Sequence, residues 1–128
     1  MVKDNIRDLE QWSFCDNQKD CDELFDLATK GIKTATSYLY EGQSEPSKLS
    51  ILTNWDKSKK VLLKTLSVKI LKFKDVNEEM AYKEGEGDRS LKYWQKVHKD
   101  FFSKYCSSFN DETLICYEEF EIIQNIED

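Results

Sequence analysis

Between Ala81 and Trp94 the chain reads Ala-Tyr-Lys-Glu-Gly-Glu-Gly-Asp-Arg-Ser-Leu-Lys-Tyr-Trp. Glu84, Glu86, Asp88, Arg89 and Ser90 crowd acids, a permanent cation and a hydroxyl into one short stretch. Gly85 and Gly87 let the backbone turn sharply and come close to a bound molecule. Capping of the following helix by Asp88 or Ser90 accounts for one of these side chains. The whole set is more than a connecting loop needs, and it is expected to line a functional site.

A second group is Gly31-Ile32-Lys33-Thr34-Ala35-Thr36-Ser37. Lysine is an electrostatic anchor, or a base where burial lowers its pKa. A threonine hydroxyl becomes a nucleophile once a neighbouring base accepts its proton. Taken alone, Thr-Ala-Thr-Ser reads more readily as strand than as a site. In a regular strand Lys33 and Thr36 face opposite sides. They share a site only if the chain bends or the strand begins after Lys33.

Other polar residues have simpler readings. His98, the only histidine, falls on the apolar side of a helix and is expected to be a core histidine with one satisfied nitrogen. Glu84, Glu86 and Asp88 offer oxygen ligands to a hard cation, but three acids in a loop do not make a metal site. No metal or other cofactor is expected. Glu78-Glu79 and Glu118-Glu119 read as solvated surface. Tyr38, Tyr82, Tyr93 and Trp94 could stack on a base, although aromatics at such spacings usually pack a core.

These groups need elements to hold them. Trp12 and Phe14, two apart, suggest a short strand. Asp20 or Asp22 is expected to cap a helix that runs to Lys30 and stops at Gly31. Strands are expected over Ile32–Tyr40, Leu49–Thr53, Val61–Leu71 and Thr113–Ile123, with Val68 and Ile70 on a buried face. Asn77 should cap a short helix ending at Glu84. Ser90–Cys106 is the clearest helix, with Leu91, Trp94, His98, Phe101, Phe102 and Tyr105 on one side. Strands with helices between them, on short connections, imply an α+β domain with a mixed sheet that could curl into a small barrel.

The chain has 128 residues, 39% hydrophobic and 12% aromatic, enough for a single domain (1–128) with one core. No apolar run reaches the roughly 20 residues of a membrane helix. The stretch Met1–Arg7 lacks a secretory core. Cys15, Cys21, Cys106 and Cys116 form no CxxC pair, so reduced thiols and a cytoplasmic location are expected. Net charge is −6, yet residues 48–106 hold 14 basic and 8 acidic side chains. A basic patch suited to an anionic ligand is therefore expected on an acidic protein.

Together, Gly31-Ile32-Lys33-Thr34-Ala35-Thr36 and the run from Tyr82 to Trp94 resemble the bacterial branch of the ASCH domain family. Trp12-Ser13-Phe14 before Asp16, and His98 before Phe101-Phe102, are similar to it as well. The likeness runs from about Trp12 to Ile123. It implies a PUA-like fold, a small mixed β-barrel flanked by helices, with a cleft beside a helix-to-strand junction. The family was proposed to bind RNA. A related small bacterial member hydrolyses the N4-acetyl amide of acetylcytidine with the lysine and second threonine of GxKTxT and a glutamate. Other members are described as ribonucleases that use the same lysine.

Carried over, the resemblance implies Lys33, Thr36 and Glu84 as catalytic residues. Thr34, Glu86, Asp88, Arg89, Ser90, Tyr93 and Trp94 would surround the substrate. The partner expected is RNA or a modified nucleoside. Amide hydrolysis leads, with a non-catalytic RNA-binding module or a ribonuclease as alternatives. Cys15 departs from the branch, which has glycine there in Phe-Gly-Asp, and should alter the cleft rim. Ser47-Lys48-Leu49-Ser50 replaces a Gly-Asp turn.

Overall fold

The computed structural model describes residues 8–126. In chain order these form β1 (Gln11–Ser13), α1 (Gln18–Thr29), β2 (Ala35–Leu39), β3 (Leu49–Thr53) and β4 (Lys60–Lys72). A 3-10 turn (Phe73–Asp75), α2 (Glu78–Glu84), α3 (Leu91–Tyr105) and β5 (Leu114–Ile126) follow. The strands form one mixed sheet in the order β1-β3-β4-β5-β2, with β1–β3 parallel and the other pairs antiparallel. β1 and β2 are its two edges, so the barrel-like sheet stays open on one side. α1, which joins those edges, buries Cys21, Phe25 and Ala28.

β4 and β5 are rich in Val, Ile, Leu, Phe and Tyr, which suits a pleated surface packed on one or both sides. Their pairing shifts register at Leu62/Leu63 and again at Thr65/Ser67. A one-residue shift moves side chains to the other face, and across the first shift Val61, Leu62 and Leu63 are all buried. Past the second, Leu71 packs on the core while Ile70 is half-exposed, contrary to the face expected for Ile70. Two apolar clusters result. One gathers Phe73, Val76, Met80, Trp94, Phe102, Ile115 and Tyr117 under α2 and α3. The other gathers Phe14, Phe25, Leu52, Val61, Leu63 and Phe120 under α1.

Several local expectations change. The cap of α1 is Asn17, whose side chain accepts the Asp20 amide at 2.9 Å. Asp20 itself lies in the first turn, where a carboxylate suits the helix dipole. After α1, Gly31 takes φ +78°, and the amides of Ile32 and Lys33 still bond to the Leu27 carbonyl. That hold keeps them out of the sheet, so β2 begins at Ala35. Asn77 and Ser90 cap α2 and α3 as expected, by accepting the amides of Met80 and Tyr93. β5 runs to Ile126, beyond where the strand was expected to end. Met1–Arg7 and the last two residues of the chain end, where fraying was expected, lie outside the described residues. All four cysteines are free, and no helix among the described residues is long and apolar enough to cross a membrane.

Leu63 is fully buried where β4 meets α1's cluster. Leu63→Ala is expected to cost about 2–5 kcal/mol in urea unfolding. A loss below about 1 kcal/mol would contradict this packing.

Candidate functional site

Lys33 precedes β2 and points inward, only 1% exposed. Its ammonium has three N–H donors, and three acceptors surround it. They are Glu86 Oε2 at 2.9 Å, Glu84 Oε1 at 3.3 Å and the Glu84 carbonyl at 3.4 Å. The Phe14 ring lies beneath, its centroid 5.2 Å from Nζ. Burial alone would lower the lysine pKa, but the Glu86 and Glu84 carboxylates outweigh it and hold the amine above its ordinary value. Lys33 is therefore held as a cation between the two carboxylates.

Glu84 closes α2 and is wholly buried. Burial pushes its pKa up, yet Lys33 and His98 prevail and hold the carboxyl well below the usual carboxylate range. The Trp94 indole N–H donates to Glu84 Oε2 at 2.7 Å. Glu84 Oε1 lies 3.5 Å from His98 Nε2, and His98 Nδ1 lies 2.9 Å from the Trp94 carbonyl. His98 is thus engaged at both nitrogens, beyond the single contact expected of a core histidine. Glu84, Glu86 and His98 bring donor atoms within 4.8 Å of one another. The Lys33 ammonium bonds both of these carboxylates.

The loop glycines make this cluster sterically possible. Gly85 has φ +72°, and a Cβ there would lie 2.7 Å from the Ile32 carbonyl oxygen. Gly87 has φ +58°, and a Cβ there would run into the Tyr93 ring. Three of the loop's polar residues hold this shape. Arg89 donates to the carbonyls of Tyr82 and Ile32 at 3.0 and 3.3 Å and stacks on the Tyr82 ring. Asp88 accepts the Ser90 amide, and Ser90 caps α3. Thr34 bonds through its amide and hydroxyl to the Lys83 carbonyl. Arg89 and Thr34 therefore stitch the two motifs together from outside the cleft.

A cleft of about 410 Å³ opens beside the cluster. Thr36, Ser37, Glu86, Gly87, Tyr93 and His98 line it from the motif side. Phe14, Leu24, Leu27, Val97 and Phe101 supply apolar walls. Lys33, Glu84 and Trp94 lie behind this lining. The Ser37 hydroxyl is buried and has no hydrogen-bond partner. Asp20, Glu23, Glu86 and Asp100 outnumber Lys104 around the cleft. The basic side chains gather elsewhere, with Lys74, Lys92, Lys96 and Lys99 in a separate groove on the other flank of α3.

Cys15, on the rim, has φ +61°. That left-handed backbone suits glycine, which adopts it without the Cβ clash that Cys15 carries. Glu118 corrects another expectation. It is 3% exposed rather than solvated, and accepts from the Thr65 and Tyr38 hydroxyls at 2.8 and 3.0 Å. Burial raises its pKa. The part of His98 was hidden in the sequence because nothing local marks Glu84 as its neighbour; its four-residue spacing from Trp94 was the one available signal.

A family model described as ASCH domain matches residues 10–124. The crystal structure of an ASCH domain from Lactobacillus crispatus is similar at 29% identity and a TM-score of 0.86, covering 96% of this chain and 84% of that one. A crystal structure of a protein from Enterococcus faecalis is similar at 23% identity and a TM-score of 0.80, covering 94% and 83%, and speaks to the fold alone. No curated protein matches the chain.

The depressed Glu84 pKa fixes a sign. Its contribution is fully present above the unfolded carboxylate value of about 4.3 and is lost as pH falls through the folded value. Glu84→Gln is expected to cost about 3–5 kcal/mol at pH 7, with a shallower acid decline than wild type in urea titrations. Parallel pH profiles would contradict the ion pair.

Proposed function

From the premise that the chain belongs to the ASCH domain family, we propose that the cleft binds a nucleoside-sized molecule and hydrolyses an amide on it. An N4-acylated cytidine is the substrate class that the family resemblance suggests. The observation that carries the choice of a nucleoside over an RNA strand is the acidic lining beside the Lys33 cluster. Phosphates entering it would meet Asp20, Glu23 and Asp100, and like charges repel strongly in a confined site. A neutral nucleoside meets no such barrier, and its base has Phe14, Tyr93 and Phe101 to lie against. The volume falls within the range of small-molecule pockets.

In this reading Thr36 is the nucleophile. The Lys33 charge lowers the proton affinity of its hydroxyl and favours the developing oxyanion. The threonine oxygen bonds to the acyl carbon while its proton passes to Glu86, the carboxylate that shares the cleft wall. The C–N bond then breaks, and Glu86 returns that proton to the leaving amine. Water hydrolyses the threonine ester and restores the hydroxyl. Glu84, behind the lining, holds Lys33 in place. Arg89, Asp88, Ser90 and Thr34 keep the loop closed on the cluster, while Tyr93 faces the substrate. The four free thiols suit a reducing compartment, and the cytoplasm is the proposed location.

The test is release of cytidine from N4-acetylcytidine, followed by absorbance. Thr36→Ala and Lys33→Met, each checked for folding by circular dichroism, are expected to lower the rate about 10²-fold or more. Wild-type protein that turns over no acylated nucleoside would overturn the proposal. Salt-sensitive affinity for an RNA oligonucleotide would then favour the binding module, and RNA cleavage the ribonuclease.

A further inference from the structure

We infer that His98 is a positioning residue held as a buried imidazolium, supplying a second positive charge that, with Lys33, holds the buried Glu84 carboxylate. The geometry favours two ring protons. His98 Nδ1 faces the Trp94 carbonyl at 2.9 Å and Nε2 faces Glu84 Oε1 at 3.5 Å. A carbonyl and a carboxylate only accept. A neutral ring would turn one lone pair toward an oxygen. The ring cannot easily turn away, because it stacks on Trp94 at 4.3 Å and abuts Phe102 at 5.6 Å.

The charge count leads to the same place. Glu84 from α2 and Glu86 from the following loop bring two negative charges, and Lys33 from the segment before β2 brings one positive charge. With Glu84 wholly buried and Lys33 nearly so, an uncompensated charge would be costly. Protonated His98 makes the cluster neutral. On its own helix the groups facing it are the Trp94 carbonyl and indole and the Phe102 ring. Its contribution is fully present below the ordinary histidine value and is lost as pH rises through the folded value.

Because His98 is the only histidine, its ring signals in NMR are unambiguous. The wild-type protein is expected to show both ring nitrogens protonated at pH 7, with a midpoint above that of free histidine in the same buffer. Glu84→Gln should bring that midpoint down by about one pH unit or more. A wild-type midpoint at or below that of free histidine, or one unmoved by Glu84→Gln, would overturn the inference. A kinetic arm rests on the hydrolytic reading above. There the wild-type rate should fall about tenfold per pH unit above the His98 midpoint. His98→Gln should be slower and flat over that range, and an unchanged alkaline limb would count against the inference. Absence of turnover would defeat the hydrolytic reading alone, since the wild-type titration decides the state of His98 without substrate.

Discussion

The structure depends on a lysine buried between two carboxylates. Removing three charges from water is expensive, and their attraction offsets that cost only when each proton and lone pair finds a partner. Lys33 satisfies the condition with all three N–H donors engaged. Glu84 satisfies it through Lys33, Trp94 and His98. The remaining contacts between the two motifs keep that geometry. Thr34 is tied to Lys83, Arg89 to Ile32, and Gly85 lies against Ile32. These contacts join the two motifs.

The polar cluster sits where two apolar cores meet. Phe14, beneath the Lys33 ammonium, belongs to the cluster under α1, while Trp94, which bonds Glu84, belongs to the cluster under α2 and α3. The register shifts of β4 on β5 let one pair of strands serve both cores. The cleft opens between them, with one wall from α1 and the other from α3. The acidic lining and the lysine groove lie on opposite flanks of α3. The basic middle segment therefore does not make a basic cleft.

Much of this was legible in the sequence. The helical period through Leu91, Trp94, His98 and Phe102 gave α3, and Asn77 and Ser90 marked their helices because local hydrogen bonds decide caps. What escaped depends on neighbours distant in the chain. Glu118 reads as surface until Tyr38 and Thr65 meet it across the sheet. The polar residues from Glu84 to Ser90 look equivalent along the chain, but folding divides them. Glu84 and Glu86 join Lys33, whereas Asp88, Arg89 and Ser90 hold the loop. Asn17 took the place of Asp20 as a cap because several adjacent polar residues could cap α1, and only backbone geometry chooses among them.

The most direct test of the central claim is a double-mutant cycle in folding stability, combining Lys33→Met with Glu84→Gln at pH 7. A buried, mutually dependent pair predicts a coupling of about 2 kcal/mol or more, within the range for residues in direct contact. Additive losses, with coupling below about 0.5 kcal/mol, would mean that the two motifs do not hold each other and that the shared site is not built as described.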